Sequence, residues 1–157
     1  MLIIRRAAAS DAVALHDLYH NHLTQNPPKE PQSMADWRDK IARFSVNPLY
    51  HILVGEIENR IVSSVTIIII ENLTHNQRPY AIIENVVTHE NFRGRQYATA
   101  LMRKAEEIAK SQHCYKIMLL TGAKAPSTLL FYEHCGYNMK DKTAFIQWLE
   151  ATSENPS

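Results

Sequence analysis

The chain has 157 residues, 45% apolar and 21% charged, with a formal net charge of +1. That suits one hydrophobic core and one domain, and it lacks the charge excess that draws a protein onto nucleic acid. The opening MLIIRR is too short in apolar residues for a signal peptide, and the longest β-branched run, Val65 to Ile70, is far too short to span a bilayer.

Residues 2–6 read as a first strand. Ser10 and Asp11 then open a helix, with Ser10 as N-cap and Val13, Leu15, Leu18, Tyr19 and Leu23 as its apolar face. QNPPKEPQS breaks it, and Ser33 with Asp36 has the spacing of a capping box for a second helix over about 34–44. Strands over 50–57 and 60–71 flank a short turn at Glu58–Arg60, a polar loop covers 72–79, and YAIIENVVT is the strand 80–88. A long amphipathic helix follows over about 94–112, with Tyr97, Leu101, Ala105 and Ile108 on one face. A strand over 115–121, a turn, and a helix over about 126–135 ending near Gly136 come next. GYNM and residues 144–150 are predicted as final strands, and 151–157 as a disordered tail after a single domain over 1–150. The order predicts a mixed α/β domain with a largely antiparallel sheet and one parallel crossover.

Three features carry chemistry. The turn Arg93-Gly94-Arg95-Gln96-Tyr97-Ala98 lies between a strand and a helix, where unpaired amides and the helix dipole favour an anion. On the residues alone it reads equally as a solvated basic turn. No phosphate-loop or dinucleotide fingerprint is present. Glu84 sits inside a strand, on the face of Ile82 and Val86 unless a bulge intervenes. It is expected to be half buried or beside a cleft, as a base or as an ion-pair partner of Arg60 or Arg78. Tyr132, in FYEHCGY, is a phenol protonated near neutral pH, able to donate to a leaving group or simply to pack. Cys135 beside it reads as an inert thiol before a nucleophile, and Cys114 and Cys135 together lack metal-ligand spacing, as expected of reduced thiols in a cytoplasmic protein. His16 and His20 have a metal-compatible spacing without supporting ligands, so no metal is expected.

Together these segments resemble the GNAT superfamily of acyl-CoA-dependent N-acyltransferases, from about Val54 to Trp148. Arg93 and Ala98 match the family's [R/Q]-x-x-G-x-[G/A] motif, with Gln96 in place of the central glycine, and FYEHCGY is similar to F-Y-x-x-x-G-[F/Y]. Ala125 stands where the family often has an asparagine. IENVV, CYKIML and the glutamine itself look like the branch that acetylates glucosamine 6-phosphate.

The resemblance implies a GNAT fold whose splayed central strands are flanked by helices. It implies acetyl-CoA as co-substrate, paired with the backbone of Val86, Val87 and Thr88 and held through its pyrophosphate by the amides of Arg93, Gly94, Arg95, Gln96, Tyr97, Ala98 and Thr99. Glu84 would be the general base and Tyr132 the donor to the departing thiolate, with direct transfer in a ternary complex to a primary amine of a small molecule. No nucleic acid or membrane partner is implied, and a homodimer is one option. An acyl-CoA-binding regulatory module without turnover is the rival reading, kept alive by Gln96 and Ala125.

Overall fold

Glu58 and Asn59 both adopt left-handed backbone angles, φ 48° and 63°. This is the geometry of a two-residue hairpin turn whose twist matches paired strands. They join β2 (Tyr50–Ile57) to β3 (Arg60–Ile70), antiparallel from Tyr50 opposite Ile68 to Ile57 opposite Arg60. The structure, a computed structural model, describes residues 1–149. The predicted tail and the last residue of the predicted final strand, Glu150, lie outside the described residues.

Met1–Leu119 forms one compact unit. With β1 (Ile3–Arg6), β4 (Tyr80–Thr88) and β5 (Ile117–Leu119), its five strands lie in the order β1-β2-β3-β4-β5. The first three pairings are antiparallel and the last is parallel, so the sheet is mixed and mostly antiparallel, as expected. Central β3 is buried from Val62 to Ile67 because both faces are covered. On one face α1 (Ala12–His22) and α2 (Met34–Val46) build a cluster of Ala7, Ala12, Leu15, Ile41 and Val54, against which Tyr19, Trp37 and Ile52 pack. The loop between β3 and β4 holds α3 (Thr74–Gln77), a single turn in which His75, Asn76 and Gln77 take left-handed angles. The opposite face is covered by α4 (Tyr97–Ser111). There a Cβ at Gly55 would stand 3.0 Å from Leu101 Cδ1 and 3.1 Å from Leu2 Cδ1, so the glycine sits where helix and sheet approach closely. No described helix is long and apolar enough to cross a membrane.

The second cap follows the sequence: Ser33 Oγ accepts from Asp36 N–H at 3.2 Å. The first does not. Ala9–Asp11 forms a 3-10 turn, and Asp11 rather than Ser10 supplies the oxygens, taking Ala8 N–H at 2.7 Å and two Arg5 nitrogens at 2.7 and 2.9 Å. Burial pushes the Asp11 carboxyl up, but the Arg5 guanidinium and the Ala8 amide outweigh it and hold the group below its usual range. Arg6 closes the far end of α2, donating to the carbonyls of Phe44, Asn47 and Tyr50 at 2.8–2.9 Å.

The unit beginning at Leu120 is compact in its own right. Its helix α5 (Pro126–His134) has Pro126 in its first turn and ends at Cys135, ahead of Gly136. The two predicted final strands do not form among the described residues. Phe145, Ile146 and Leu149 are instead exposed, since an apolar run becomes a strand only where a neighbouring edge satisfies its backbone. The same limit shortens β5, predicted over 115–121, to three residues.

Candidate active site

β4 is paired with β3 from end to end, but with β5 only at Ala81–Ile83. From Glu84 to Thr88 its other edge carries no strand among the described residues. His89 N–H bonds the Val62 carbonyl at 2.9 Å, on the β3 side. Ladder alternation therefore turns the backbone groups of Val86 and Thr88 toward the open edge.

The register slips in the middle of the strand. Thr66 faces Glu84 and Ser64 faces Val87, so Asn85 and Val86 together oppose Val65. Asn85 takes φ 52°, an angle that asparagine tolerates better than most side chains. This bulge corrects the simple alternation: Glu84 shares its face with Ile82 and Val87, not with Val86. Buried Ser63 pins the strand beyond the bulge. Its hydroxyl donates to the Val87 carbonyl at 2.9 Å and lies 2.8 Å from the Thr88 hydroxyl. Ser63 has spent its one proton, so Thr88 is the donor in that second contact.

Glu84 is exposed, against the expectation of half burial. Neither proposed arginine pairs with it: Arg60 lies over the Phe92 ring at 5.4 Å, and Arg78 donates to the carbonyls of His113 and Cys114. Its surroundings are instead hydroxyls. Thr66 stands opposite it, and Tyr50 senses it: burial pushes the Tyr50 phenol up, and the neighbouring Tyr19 and the Glu84 carboxylate push it further.

β4 leads into a tight basic loop. A 3-10 turn, Glu90–Phe92, is capped by His89 Nδ1, which accepts from Asn91 N–H at 3.2 Å. Arg93 Nε donates back to the Thr88 carbonyl at 3.2 Å, and Arg95 joins Arg60 over the Phe92 ring at 5.3 Å. Gly94 at φ 75° and Gln96 at φ 61° are both left-handed. The first bond of α4 runs from Ala100 N–H to the Gln96 carbonyl at 3.0 Å, so the amides of Tyr97, Ala98 and Thr99 have no acceptor inside the helix. A Cβ on Gly94 would meet nothing within 4 Å, so the loop is open outward. A curved backbone with unspent amides, at the positive end of a helix and beside two arginines, fits a phosphate ester. Desolvation and the positive charge of His22, Arg60 and Arg93 push the His89 imidazole below its ordinary value, and its ring lies tilted against that of His22, centroids 4.2 Å apart. The cavity of about 500 Å³ beside this pair, walled in part by Arg5, Asp17, Arg60 and His89, does not include Glu84.

The predicted residues from Glu84 through Val86, Val87 and Thr88 to the Arg93–Thr99 stretch thus lie along one continuous strand–loop–helix segment of the first unit. Tyr132 belongs to the second unit, on α5, half buried, with its ring 5.0 Å from Phe131 and 6.4 Å from Tyr137. His16 and His20 stack on each other at 5.5 Å, and His16 meets the edge of Trp37, which makes them packing residues between α1 and α2. Ser63, Thr66 and Tyr19 were not singled out by sequence reasoning. The available signal was three hydroxyls, Ser63, Ser64 and Thr66, inside the otherwise apolar run RIVSSVTIIII.

The sequence profile of the Acetyltransferase (GNAT) family matches residues 14–137. The chain is 30% identical over 121 residues to a protein of Trypanosoma brucei brucei named glucosamine 6-phosphate N-acetyltransferase, covering 77% of this chain and 79% of the relative. A solved structure of a provisionally assigned acetyltransferase from Agrobacterium tumefaciens strain C58 is 36% identical, with a TM-score of 0.82 over 93% of this chain and 99% of its own. The glucosamine-6-phosphate N-acetyltransferase of Arabidopsis thaliana shares the fold, at 22% identity and a TM-score of 0.80 over 96% and 99% of the two chains. The profile match across most of the chain, the open edge of β4 and the loop that follows it agree: the protein belongs to the Acetyltransferase (GNAT) family of enzymes.

Proposed function

We propose that the protein transfers an acetyl group from acetyl-CoA to a primary amine of a small molecule, directly, within a ternary complex. The observation that carries this reading is the open edge of β4 next to Glu84, running without interruption into the basic loop. The pantetheine arm would add as a further strand to the backbone groups of Val86 and Thr88 on that edge, where the Thr88 carbonyl already accepts from Arg93 Nε, and the amides of the Arg93–Thr99 stretch would hold the pyrophosphate. Acetyl-CoA supplies an activated thioester carbonyl.

The chain's own residues do the rest. An alkylamine is protonated near neutral pH, with a pKa of about 10 for a lysine-like case, and must lose a proton before it attacks. Glu84, exposed at the bulge, would take that proton through a water. Tyr132, through its phenol, would donate to the departing sulfur. Holding both reactants against one strand removes much of the entropic cost of their meeting, so no covalent intermediate on the protein is required.

An amino-sugar phosphate is the sharper acceptor reading. It is supported by the trypanosomal relative named for that activity. The test is thiol release from acetyl-CoA against a panel of amines that includes glucosamine 6-phosphate. Turnover with that sugar above the other amines is expected. Tight acetyl-CoA binding without thiol release on any amine would instead favour the regulatory module.

A further inference from the structure

We propose that Thr66 holds a water against Glu84, backed by Tyr19, and that this water carries the proton from the acceptor amine to the carboxylate. The inference rests on the reading of Glu84 as the base, and it assigns a positioning role to residues that take no part in the family motifs.

Proton accounting on the α1 face of the sheet leads to it. Ser64 Oγ donates its one proton to the Leu53 carbonyl at 3.0 Å. Its 3.1 Å contact with the Tyr19 hydroxyl must therefore have Tyr19 as donor. Tyr19 has then spent its proton and presents an oxygen that can only accept. Thr66, two residues along β3 on the same face, is 1% exposed. It lies close enough to the Tyr19 phenol to lower it as a hydrogen-bonding hydroxyl, yet its Oγ1 completes no hydrogen bond of good geometry among the described residues. Buried hydroxyls are rarely left so, because losing water without gaining a partner costs stability.

The position of that hydroxyl gives it a use. Thr66 and Glu84 are direct cross-strand partners, and side chains so paired stand on one face within reach of each other. A buried water needs about two to four polar partners. Thr66 Oγ1, the Tyr19 oxygen and the Glu84 carboxylate supply three kinds, and the exposed carboxylate leaves the arrangement open to an incoming amine.

The groups facing the cluster are Tyr19 from α1, Tyr50 from β2, and Trp37 from α2, which packs near Tyr19. Burial pushes both phenols up, so they stay neutral at physiological pH and Glu84 is the carboxylate among these groups. α4 packs on the opposite face, against Gly55. In the step itself an amine N–H bond breaks, its proton passes to the water, and the water gives one proton to a Glu84 oxygen. The water is regenerated, and the nitrogen keeps the electron pair with which it attacks the acetyl carbon.

The experiment compares Thr66→Val, which keeps the shape and removes the hydroxyl, with Thr66→Ser, which keeps the hydroxyl. Both are measured as pH profiles of kcat/KM beside Glu84→Gln and the Thr66→Val/Glu84→Gln double variant, with acetyl-CoA affinity and a thermal melt as controls. Thr66→Val is expected to melt and bind acetyl-CoA like the wild type and to lose about tenfold in kcat/KM near neutral pH, the loss fading as the pH rises and free amine needs no base. Thr66→Ser should restore the rate, and the valine change should add nothing once Glu84 is gone. A wild-type pH profile in Thr66→Val, or equal damage from valine and serine, overturns the inference while leaving a strongly impaired Glu84→Gln, and thus the base, standing. Wild-type turnover in Glu84→Gln, or no turnover of the wild type with any amine, overturns the base reading and this inference together.

Discussion

Ser63 and Val87 are joined by a hydrogen bond of 2.9 Å that runs from a side chain of the central strand to the backbone of the strand whose far edge is open. It fixes β4 just past the point where the bulge has shifted its register. Ser63→Ala should cost about 1–2 kcal/mol, since the buried carbonyl and the Thr88 hydroxyl each lose a partner. The melting temperature should fall by several degrees, and acetyl-CoA affinity, measured by calorimetry, should weaken with it. An unchanged melt would mean that the ladder alone holds the strand.

Gln96 occupies a left-handed position, φ 61° and ψ 18°, immediately before α4. Non-glycine residues pay roughly 1–2 kcal/mol there, partly offset by the greater freedom of glycine in the unfolded chain. Gln96→Gly should therefore raise stability by about 0.5–1 kcal/mol and the melting temperature by about 1–3 °C. A lower melting temperature would show that the glutamine side chain contributes more than its backbone angle costs.

The two proposed catalytic roles separate kinetically. Glu84→Gln should lose about a hundredfold or more in kcat/KM near neutral pH and recover as the pH rises and free amine becomes available without a base. Tyr132→Phe should lower kcat with little change in acetyl-CoA affinity, because its interaction belongs to the departing thiolate rather than to the bound ground state. Wild-type rates in either variant would remove that residue from the mechanism.

Asp11 gives the fold an acid sensitivity of defined sign. Its folded value lies below the unfolded one, so its contribution is complete above the unfolded value of about 3.9 and is lost as the pH falls through the folded value. Asp11→Asn should cost about 2 kcal/mol at neutral pH by weakening the bonds from Arg5 and the Ala8 amide. Its stability should then depend less on pH in the acid range. Equal slopes of stability against pH for the two proteins, from denaturant unfolding at several pH values, would count against this assignment.

Most of the fold could be read along the chain because its signals were local. The two-residue turn at Glu58 and Asn59, the Ser33 cap and the periodicity of α4 each lie within a few neighbouring residues. What escaped depended on distant partners. Ser10 had the right chemistry for a cap, but Arg5 and the Ala8 amide recruited Asp11. The apolar stretch near Phe145 had the alternation of a strand, but no sheet edge pairs with it among the described residues. At the site, the position of Glu84 was legible and its exposure was not, because the bulge at Asn85 is a property of two strands at once. Asn85 was itself the available hint, an asparagine inside a run of β-branched residues.

The dipeptide Ser63-Ser64 sends one hydroxyl to each side of the sheet: Ser63 donates to the carbonyl of Val87, and Ser64 accepts from the phenol of Tyr19. Adjacent and chemically identical, the two are not interchangeable in heredity. A drift at the first is felt by the strand that would receive the thioester arm, and a drift at the second by the helix that carries Tyr19. Compensating changes should therefore be sought along two separate lineages of positions, one running through Thr88 and Arg93, the other through Tyr19 and Thr66.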